Sequence, residues 1–330
     1  MSTIHLPYHH TGTGARRQPS PRSRLATHLV REVVRPVLRR IPLSSAVFRA
    51  AGLVDLGARL LPVRDAVRVE TASAGNVRCE IVRATGVAPG YQRGAMLYFH
   101  GGGFVAGGFH THRRLAAMLS QQTGLPVVQV RYRYLPTATV PESVNDCLTV
   151  YRWLLERGVA PESVVFAGDS AGGLLVLNTA LSASAAGLPA PAAVIAISPW
   201  LDLDLTTKLA HRNAATEAYL PTAAFTRIAE LGCTRDGRVD PALSPVNGNL
   251  ATLPPTLLLC CDDEFLRLDS EVMAARLRTA NIPCELHIWH GQIHAFPVIF
   301  PYLPESAEAV AVITRFVRTH AQPLSLTAAA

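Results

Sequence analysis

The 330-residue chain lacks the long apolar runs of a membrane protein and has almost no lysine. No window reaches the roughly 18 uninterrupted apolar residues that a membrane span requires. Residues 1–24 also lack the apolar core of a secretory signal, so we expect neither a span nor a signal peptide. Lys208 is the single lysine beside thirty arginines, which we interpret as a coding bias of the source and not as a functional feature.

Six cysteines are present, but their spacing matches neither a disulfide framework nor a zinc motif. They are scattered through segments that we predict to be strands and helices, so we expect reduced thiols in a cytoplasmic protein. Two histidine pairs, His110 with His112 and His290 with His294, lack a cysteine or carboxylate at ligand spacing. We therefore predict no metal site.

Acidic residues are missing between Glu80 and Glu142. This absence matters because Gly101–Ala106 fits the pattern G-x-G-x-x-A. In dinucleotide-binding proteins, an acidic residue that binds the ribose follows this pattern about 20 residues later. The next predicted strand ends at Arg133 without such a residue. A nucleotide site is therefore not expected.

Positive charge is concentrated near the N-terminus, where residues 1–69 hold twelve arginines and three acidic residues. Residues 1–24 are rich in His, Gly, Pro, Ser and Arg, which predicts a disordered basic arm. Through residues 25–65, apolar residues recur at helical spacing with arginines between them. Such a basic amphipathic pattern can lie on an anionic membrane surface. Few aromatic residues and no recognition motif argue against nucleic acid as a partner.

The most informative motif that is present is the GDSAG sequence at Gly168–Gly172. It follows the apolar run Val164–Phe166 and precedes the helix-like run Leu174–Ala185. This strand, turn and helix are the setting of a nucleophile elbow, in which a strained turn lifts a serine hydroxyl above the sheet. We predict that Ser170 is a nucleophile.

A second motif, His100–Gly103, ends the strand-like run Ala95–Phe99. Consecutive glycines can present backbone N–H groups to an oxygen that becomes negative during acyl transfer. The residue after the nucleophile, here Ala171, supplies another such donor. The alternative is a glycine-rich loop that only turns the chain, but the elbow downstream favours an oxyanion hole.

A base and an orienting acid follow in the order that this chemistry uses. The predicted strand Pro255–Cys260 leads into Cys261 and the Asp-Asp-Glu run at 262–264, and the predicted strand Cys284–Trp289 leads into His290 and His294. Parallel strands place their carboxyl ends at one edge of a sheet, where ligands bind. The residues alone leave open which carboxylate and which histidine are used.

Together these motifs resemble the hormone-sensitive-lipase-like branch of the α/β-hydrolases, the bacterial carboxylesterases, over residues 66–320. Tyr132–Pro136 and Ser198–Asp202 also resemble segments of that family. The resemblance implies an α/β-hydrolase fold with a mostly parallel central sheet, flanking helices and a helical cap. It assigns residues 25–65 to the N-terminal part of the cap and residues 66–330 to the catalytic domain, with a cap insertion near 199–235.

Several elements are expected from the pattern of apolar residues, beginning with a hairpin over Glu70–Arg83. The predicted strands are 95–100, 126–132, 163–168, 192–197, 256–260 and 284–289. The predicted helices are 111–122, 142–157, 172–185, 221–231, 269–280 and 305–319.

The resemblance also implies roles for single residues. Ser170 is the nucleophile and His294 the general base, since Gly291–Phe296 matches the family's G-x-x-H-x-F and so favours His294 over His290. Asp263 is the orienting acid, with Asp262 as its rival. The expected oxyanion donors are Gly102, Gly103 and Ala171.

The remaining acidic residues of this region are interpreted differently. Glu264 and Asp269 are expected to be solvated residues at the start of a helix. One departure from the family pattern is Thr137, where a glutamate usually follows Pro136. We expect rewired hydrogen bonds there without the loss of a catalytic group.

These roles predict a serine carboxylesterase that hydrolyses short- to medium-chain acyl esters through an acyl-enzyme, with no cofactor. Its partner is a small-molecule ester; peripheral membrane contact through residues 25–65 and a homodimer are left open. The aromatic residues expected in the substrate pocket are Phe104, Phe109, Trp200, Tyr219 and Phe296. Two alternatives are a non-catalytic small-molecule binder on the same fold and a membrane-surface lipase acting on longer acyl lipids.

Overall fold

A computed structural model of the chain describes residues 18–321. Most of the predicted disordered arm, residues 1–17, lies outside the described residues. The rest of that prediction needs correction, because residues 21–24 already form the first turn of a helix. The Oγ of Ser20 accepts a hydrogen bond from the N–H of Ser23 at 3.2 Å and caps this helix.

The centre of the molecule is a sheet of eight strands in the order β1-β2-β4-β3-β5-β6-β9-β10. Strand β2 pairs antiparallel with β1 and with β4, and all other neighbouring strands of this sheet pair parallel. The predicted mostly parallel sheet is therefore confirmed. The strands of this sheet are β1 Val67–Ala74, β2 Val77–Ala84, β3 Ala95–Phe99, β4 Val127–Val130, β5 Val164–Asp169, β6 Ala193–Ile197, β9 Thr256–Cys261 and β10 Cys284–Trp289. A separate small hairpin consists of β7 Thr234–Arg235 and β8 Arg238–Val239.

Helices cover both faces of the sheet, as its sequence requires. Within β3, Leu97 and Phe99 belong to one core cluster and Met96 and Tyr98 to the other, so the strand is buried on both sides. The helices are α1 Pro21–Leu29, α2 Arg35–Arg40, α3 Ser45–Ala51, α4 Leu53–Ala58, α5 Phe109–Thr123, α6 Val140–Glu156, α7 Ala171–Ala185, α8 Thr206–Ala210, α9 Asn213–Thr216, α10 Thr222–Gly232, α11 Arg267–Thr279, α12 Phe296–Ile299 and α13 Pro304–His320. A π-helical turn, Val30–Val34, joins α1 to α2 just before Pro36.

The helices outside the α/β core come from two segments of the chain. Helices α1–α4 precede the sheet, and α8–α10 lie in the segment between β6 and β9. The Arg35 guanidinium donates a hydrogen bond to the carbonyl of Ala215 at 2.6 Å and joins the two groups. None of the helices in residues 18–321 is long and apolar enough to cross a membrane.

A buried ion pair fastens the second segment to the core. The Nζ of Lys208 lies 2.7 Å from Asp269 Oδ1, and both side chains are 2% exposed. Asp269 Oδ2 also accepts the N–H groups of Leu201 and Asp202 at 2.7 and 3.0 Å. The prediction that Asp269 is a solvated helix-start residue is therefore wrong. The single lysine of the chain compensates a buried carboxylate.

Close packing of α7 on the sheet explains the last glycine of GDSAG. A Cβ atom on Gly172 would lie 1.9 Å from the carbonyl oxygen of Phe99 at the end of β3. Backbone that approaches this closely admits only glycine. The same contact holds the start of α7 against the strand end where the His100–Gly103 loop begins.

We predict that Gly172→Ala lowers the free energy of unfolding by at least about 2 kcal/mol, because the added methyl group forces α7 away from β3. The control is Gly57→Ala in α4, where a Cβ would meet nothing among the described atoms within 4 Å. That change should leave stability unchanged or raise it slightly, by about 0.5–1 kcal/mol. Thermal midpoints measured at one scan rate test both. Equal midpoints for Gly172→Ala and wild type would contradict the packing argument.

Candidate active site

Ser170 lies at the turn between β5 and α7 with a strained backbone. Its φ is 52° and its ψ is −118°, a conformation that a residue with a side chain rarely adopts. Its N–H donates to the carbonyl of Ile197 at 2.9 Å, and its carbonyl accepts the N–H of Trp200 at 3.1 Å. The turn is thus held by the end of β6, and the predicted elbow geometry is present.

His294 lies on the loop that follows β10 and is paired with a carboxylate. Its Nδ1 is 3.1 Å from Oε2 of Glu264, and the two side chains are 2% and 1% exposed. Burial alone lowers the pKa of His294, but the bond to Glu264, with Coulombic contributions from Glu264, Glu217 and Asp169, outweighs it and raises that pKa. A histidine held this way has its Nδ1 occupied and its Nε2 available for proton transfer.

The carboxylate that contacts His294 is Glu264 and not the predicted Asp263. The Asp263 carboxylate points away, with Oδ2 3.2 Å from the Arg31 guanidinium, and it is 37% exposed. Consecutive residues in the turn after β9 face different directions, so the family spacing selected the wrong neighbour. The interpretation of Glu264 as a solvated helix-start residue is also wrong.

The rival residues of the sequence analysis pair with each other. Asp262 Oδ2 lies 2.8 Å from Nδ1 of His290, and Asp262 Oδ1 accepts the N–H of Gly291 at 3.1 Å. This pair is more exposed than the Glu264–His294 pair, with 41% of the His290 side chain accessible. Two carboxylate–histidine contacts therefore join the loops after β9 and β10, one near solvent and one buried.

Asp169, the residue before Ser170, fastens the glycine-rich loop to the elbow. Its Oδ1 accepts the hydroxyl of Tyr98 at 2.9 Å and the N–H of Gly101 at 3.0 Å, and it lies 3.1 Å from Nε2 of His112. Burial opposes ionisation of Asp169, but these three groups outweigh it and lower the pKa of the carboxyl. A buried carboxylate is stable only with such partners. Gly101 is required here, since a Cβ would lie 2.1 Å from Asp169 Oδ2.

Two of the predicted oxyanion donors line the same cavity as Ser170, and the third, Ala171, follows it in the chain. Gly102 and Gly103 have φ values of 112° and 61°, which only glycine adopts freely, and both line the same cavity as Ser170. The carbonyl of Gly102 accepts the N–H groups of Val105 and Ala106 and closes the turn. Ala171 is the first residue of α7, where backbone N–H groups have no acceptor within the helix.

His100 braces this loop. Its ring stacks on Tyr132 with centroids 4.3 Å apart, and its Nδ1 lies 2.8 Å from the carbonyl of Gly101. Burial, together with the nearby His112, lowers the pKa of His100 to about 4. A neutral, fully packed imidazole is a structural element of the loop. The Tyr132 hydroxyl adds a bond to the His100 carbonyl at 2.6 Å.

The segment that departs from the family pattern contacts the same loop. The Thr137 hydroxyl donates to the carbonyl of Tyr134 at 2.8 Å, and the Tyr134 hydroxyl reaches the carbonyl of Gly107 at 3.4 Å. This turn therefore supports the far end of the glycine-rich loop. No proton-transfer group of the site comes from it.

Ser170, His294, Gly102 and Gly103 open into a cavity of about 880 Å³. Much of its remaining wall comes from both helical segments outside the core, and core residues such as Val105, Thr111 and Val298 supply the rest. Apolar members of that wall are Leu38, Leu43, Val47, Phe48, Val54 and Leu61 from the N-terminal helices and Leu220, Pro221, Ala224, Phe225 and Ile228 from the segment between β6 and β9.

Only one of the five predicted pocket aromatics lines this cavity. Tyr219 does, and its hydroxyl donates to the carbonyl of His294 at 3.2 Å. The other four were predicted wrongly and are core residues: Phe104 packs 6.2 Å from Trp200, Phe296 packs 5.4 Å from Trp289, and Phe109 is 8% exposed. Aromatic residues near catalytic motifs cannot be assigned to pocket or core by sequence position.

Glu264, Asp169, His112 and the aliphatic lining of the cavity were not predicted as parts of the site from the sequence. Asp169 stands inside the GDSAG motif, where its proximity to the glycine-rich loop was a usable signal. Nothing in the sequence marked His112 as its partner. Within residues 18–321, no group of three or more His, Cys, Asp or Glu side chains is arranged to hold a metal ion.

Comparison with known proteins identifies the family of the chain. A family model described as the alpha/beta hydrolase fold matches residues 96–298. Esterase LipU of Mycobacterium tuberculosis is 38% identical over 275 residues, which cover 81% of this chain and 92% of that protein. Among solved structures, an esterase from the bacterial hormone-sensitive lipase family superposes with a TM-score of 0.81 at 29% identity, covering 92% of this chain and 99% of that one. EstE5 soaked with p-nitrophenyl butyrate superposes with a TM-score of 0.80 at 32% identity, covering 91% and 98%.

We predict that Glu264→Gln lowers the pKa of His294 below its ordinary value, because burial then acts without the compensating carboxylate. The matched control is the adjacent Asp263→Asn, which removes a carboxylate paired with Arg31 and should leave the His294 titration in place. Histidine titration by NMR measures both. If Asp263→Asn moved the pKa and Glu264→Gln did not, the assignment of the partner would be wrong.

Proposed function

The chain belongs to the alpha/beta hydrolase family and is a carboxylesterase of its hormone-sensitive-lipase-like branch, and from that premise we propose that Ser170, His294 and Glu264 form its catalytic triad. The observation that carries the proposal is the buried Glu264–His294 pair, whose histidine lines the same cavity as a serine held at positive φ. The proposed reaction is hydrolysis of a small-molecule ester.

In this reaction the Ser170 Oγ attacks the ester carbonyl while His294 Nε2 takes its proton. Glu264 holds the imidazole in the required tautomer and stabilises the imidazolium that forms. The alcohol leaves with the proton from His294, which produces an acyl-enzyme. Water then attacks with the same histidine as base, and the acid is released as Ser170 regains its proton.

The backbone N–H groups of Gly102, Gly103 and Ala171 are the proposed oxyanion donors. Each such donor typically lowers a barrier of this kind by about 2.7–4 kcal/mol. The compact turn supports the role, since a Cβ on Gly102 would lie 2.2 Å from the carbonyl oxygen of Ala106 and would push the loop out of this conformation. Donors fixed before the reaction require no reorganisation when charge develops.

We further propose that helices α1–α4 and α8–α10 form a split cap over the cavity. The proposal is supported by the many apolar side chains that both segments contribute to the cavity wall. A volume of about 880 Å³ is in the range of small-molecule sites. Such a pocket suits an acyl chain of short to medium length.

A second candidate function is that of a lipase working at a membrane surface. The N-terminal helices expose large apolar side chains, including Leu53, Leu56 and Leu60 at 66, 60 and 88%. Val54 and Leu61 are exposed and also line the cavity, so the apolar surface continues into the site. Exposed arginines on the same helices, Arg39, Arg40, Arg49 and Arg59, suit an anionic lipid surface.

This surface supports peripheral membrane contact, and the location that we propose is the cytoplasm. The six cysteines are free, as reduced thiols in the cytoplasm would be. A non-catalytic binder is the less favoured alternative, because the site retains a base whose orienting carboxylate is in place.

We predict that a fluorophosphonate probe adds once to the wild-type protein and not to Ser170→Ala, because only an activated serine reacts with it. Intact mass spectrometry measures the adduct, and Asp263→Asn serves as a labelled control with an altered neighbouring loop. No adduct on wild type would favour the binder. An adduct that persists in Ser170→Ala would place the nucleophile elsewhere.

We predict that p-nitrophenyl esters are hydrolysed with the highest kcat/KM at about four to eight acyl carbons, a length that a pocket of this scale accommodates. A maximum on emulsified long-chain triglyceride would instead favour the lipase. If the protein is such a lipase, hydrolysis of the emulsified triglyceride should fall in Leu60→Ser. It should not fall in the control Val69→Ser, which changes an exposed valine of β1.

A further inference from the structure

One stretch of the insertion, the segment between β6 and β9, contacts each residue of the loop that carries the proposed acid Glu264. This stretch is Asn213–Leu220, here named the clamp, and the loop it contacts is Asp262–Phe265, the acid loop. The Nδ2 of Asn213 donates to the carbonyls of Asp262 and Glu264 at 3.0 and 2.9 Å. The hydroxyl of Thr216 donates to the carbonyl of the residue between them at 3.1 Å.

Glu217 completes these contacts with a buried carboxylate. Glu217 is 1% exposed, and its Oε2 accepts the N–H of Phe265 at 2.8 Å. Its Oε1 accepts the N–H groups of Tyr219 and Leu220 at 3.1 and 3.3 Å. One carboxylate therefore joins the acid loop to two residues of the cavity wall.

The acid loop needs such support because the Glu264 side chain itself makes only one hydrogen bond among the described residues. Its Oε2 bonds His294, while its Oε1 is buried and has no hydrogen-bond partner among the described residues. Strand β9 ends at Cys261 and α11 begins at Arg267, so the loop lies outside regular structure. The direction of the carboxylate therefore depends on the backbone that carries it.

The clamp also reaches the histidine. The Tyr219 hydroxyl donates to the carbonyl of His294 at 3.2 Å, and the two rings lie 6.2 Å apart. Both members of the Glu264–His294 pair are thus held by one stretch of the insertion. The same stretch presents Tyr219 and Leu220 to the cavity.

We propose that Asn213 and Glu217 are positioning residues that act through the backbone of the acid loop to keep Glu264 bonded to His294. The inference rests on the proposed triad and extends it to residues that do not touch substrate. The insertion then has two tasks, forming the cavity wall and fixing the acid.

The test compares Asn213→Ala and Glu217→Gln with Asn178→Ala. Asn178 is a matched control, a buried asparagine whose Nδ2 donates to a loop carbonyl, that of Leu243, at 2.8 Å. Misplacement of a catalytic group by remote changes typically costs up to about 100-fold in rate. We expect both clamp variants to lose about 10- to 100-fold in kcat on the alkaline plateau with KM within about twofold, and the control to keep kcat within about twofold.

The pH profile separates positioning from a general loss of folded protein. Carboxylates that face His294 are Glu264, Glu217 and Asp169, with the Tyr219 hydroxyl beside the ring. Asn213→Ala changes none of these charges. If it loosens the Glu264–His294 bond, the acidic limb of kcat/KM moves to lower pH, whereas a smaller folded fraction lowers the curve without moving it.

An Asn213→Ala variant with kcat and acidic limb like those of Asn178→Ala would overturn the proposal. Should Asn213→Ala fail to fold, the plateau kcat of the near-isosteric Glu217→Gln decides in the same way. Fluorophosphonate labelling of wild type keeps the two hypotheses apart. If labelling is lost in Ser170→Ala while kcat of the clamp variants is unaffected, the triad hypothesis stands and the positioning hypothesis is wrong. If wild type is not labelled, the triad hypothesis itself is wrong.

Discussion

The buried contact between Glu264 and His294 is the interaction on which the rest of the site depends. A carboxylate in the interior is costly unless it is paired, and the side chain of Glu264 has this one partner among the described residues. The pair joins loops from neighbouring strands, β9 and β10, so the parallel sheet fixes the distance between them. Placing an acid and a base at the same sheet edge follows from the topology.

A second buried carboxylate organises the other half of the site. Asp169, the residue before Ser170, ties the glycine-rich loop to the elbow through the N–H of Gly101. Tyr98 and His112 also contact its carboxylate. The glycines of both loops then follow from steric limits, because backbone passes where a Cβ would clash at Gly101 and Gly172. Two buried anions thus hold four loops, and the clamp in the insertion supports one of them from outside the core.

The sheet and the six longest helices were predictable because their apolar patterns are long and regular, as in β5, α7 and α13. The elbow and the glycine-rich loop were predictable because each has a local sequence with a steric cause. The acid was predicted one residue away, since spacing along a chain does not reveal which way a side chain points in a turn. The pocket aromatics Phe104, Trp200 and Phe296 were predicted wrongly because a buried ring looks the same in a core or a cavity. The clamp could not be predicted from the sequence, because its hydrogen bonds join residues about 50 positions apart.

A crystal structure of the protein with a phosphonate bound covalently to Ser170 tests the central claim most directly. The account predicts a phosphonyl oxygen within hydrogen-bond distance of the N–H groups of Gly102, Gly103 and Ala171, with His294 Nδ1 still on Glu264 and Nε2 turned to the adduct. A structure in which the His294 ring bonds Asp262 or Asp263, or faces away from the modified serine, would contradict it.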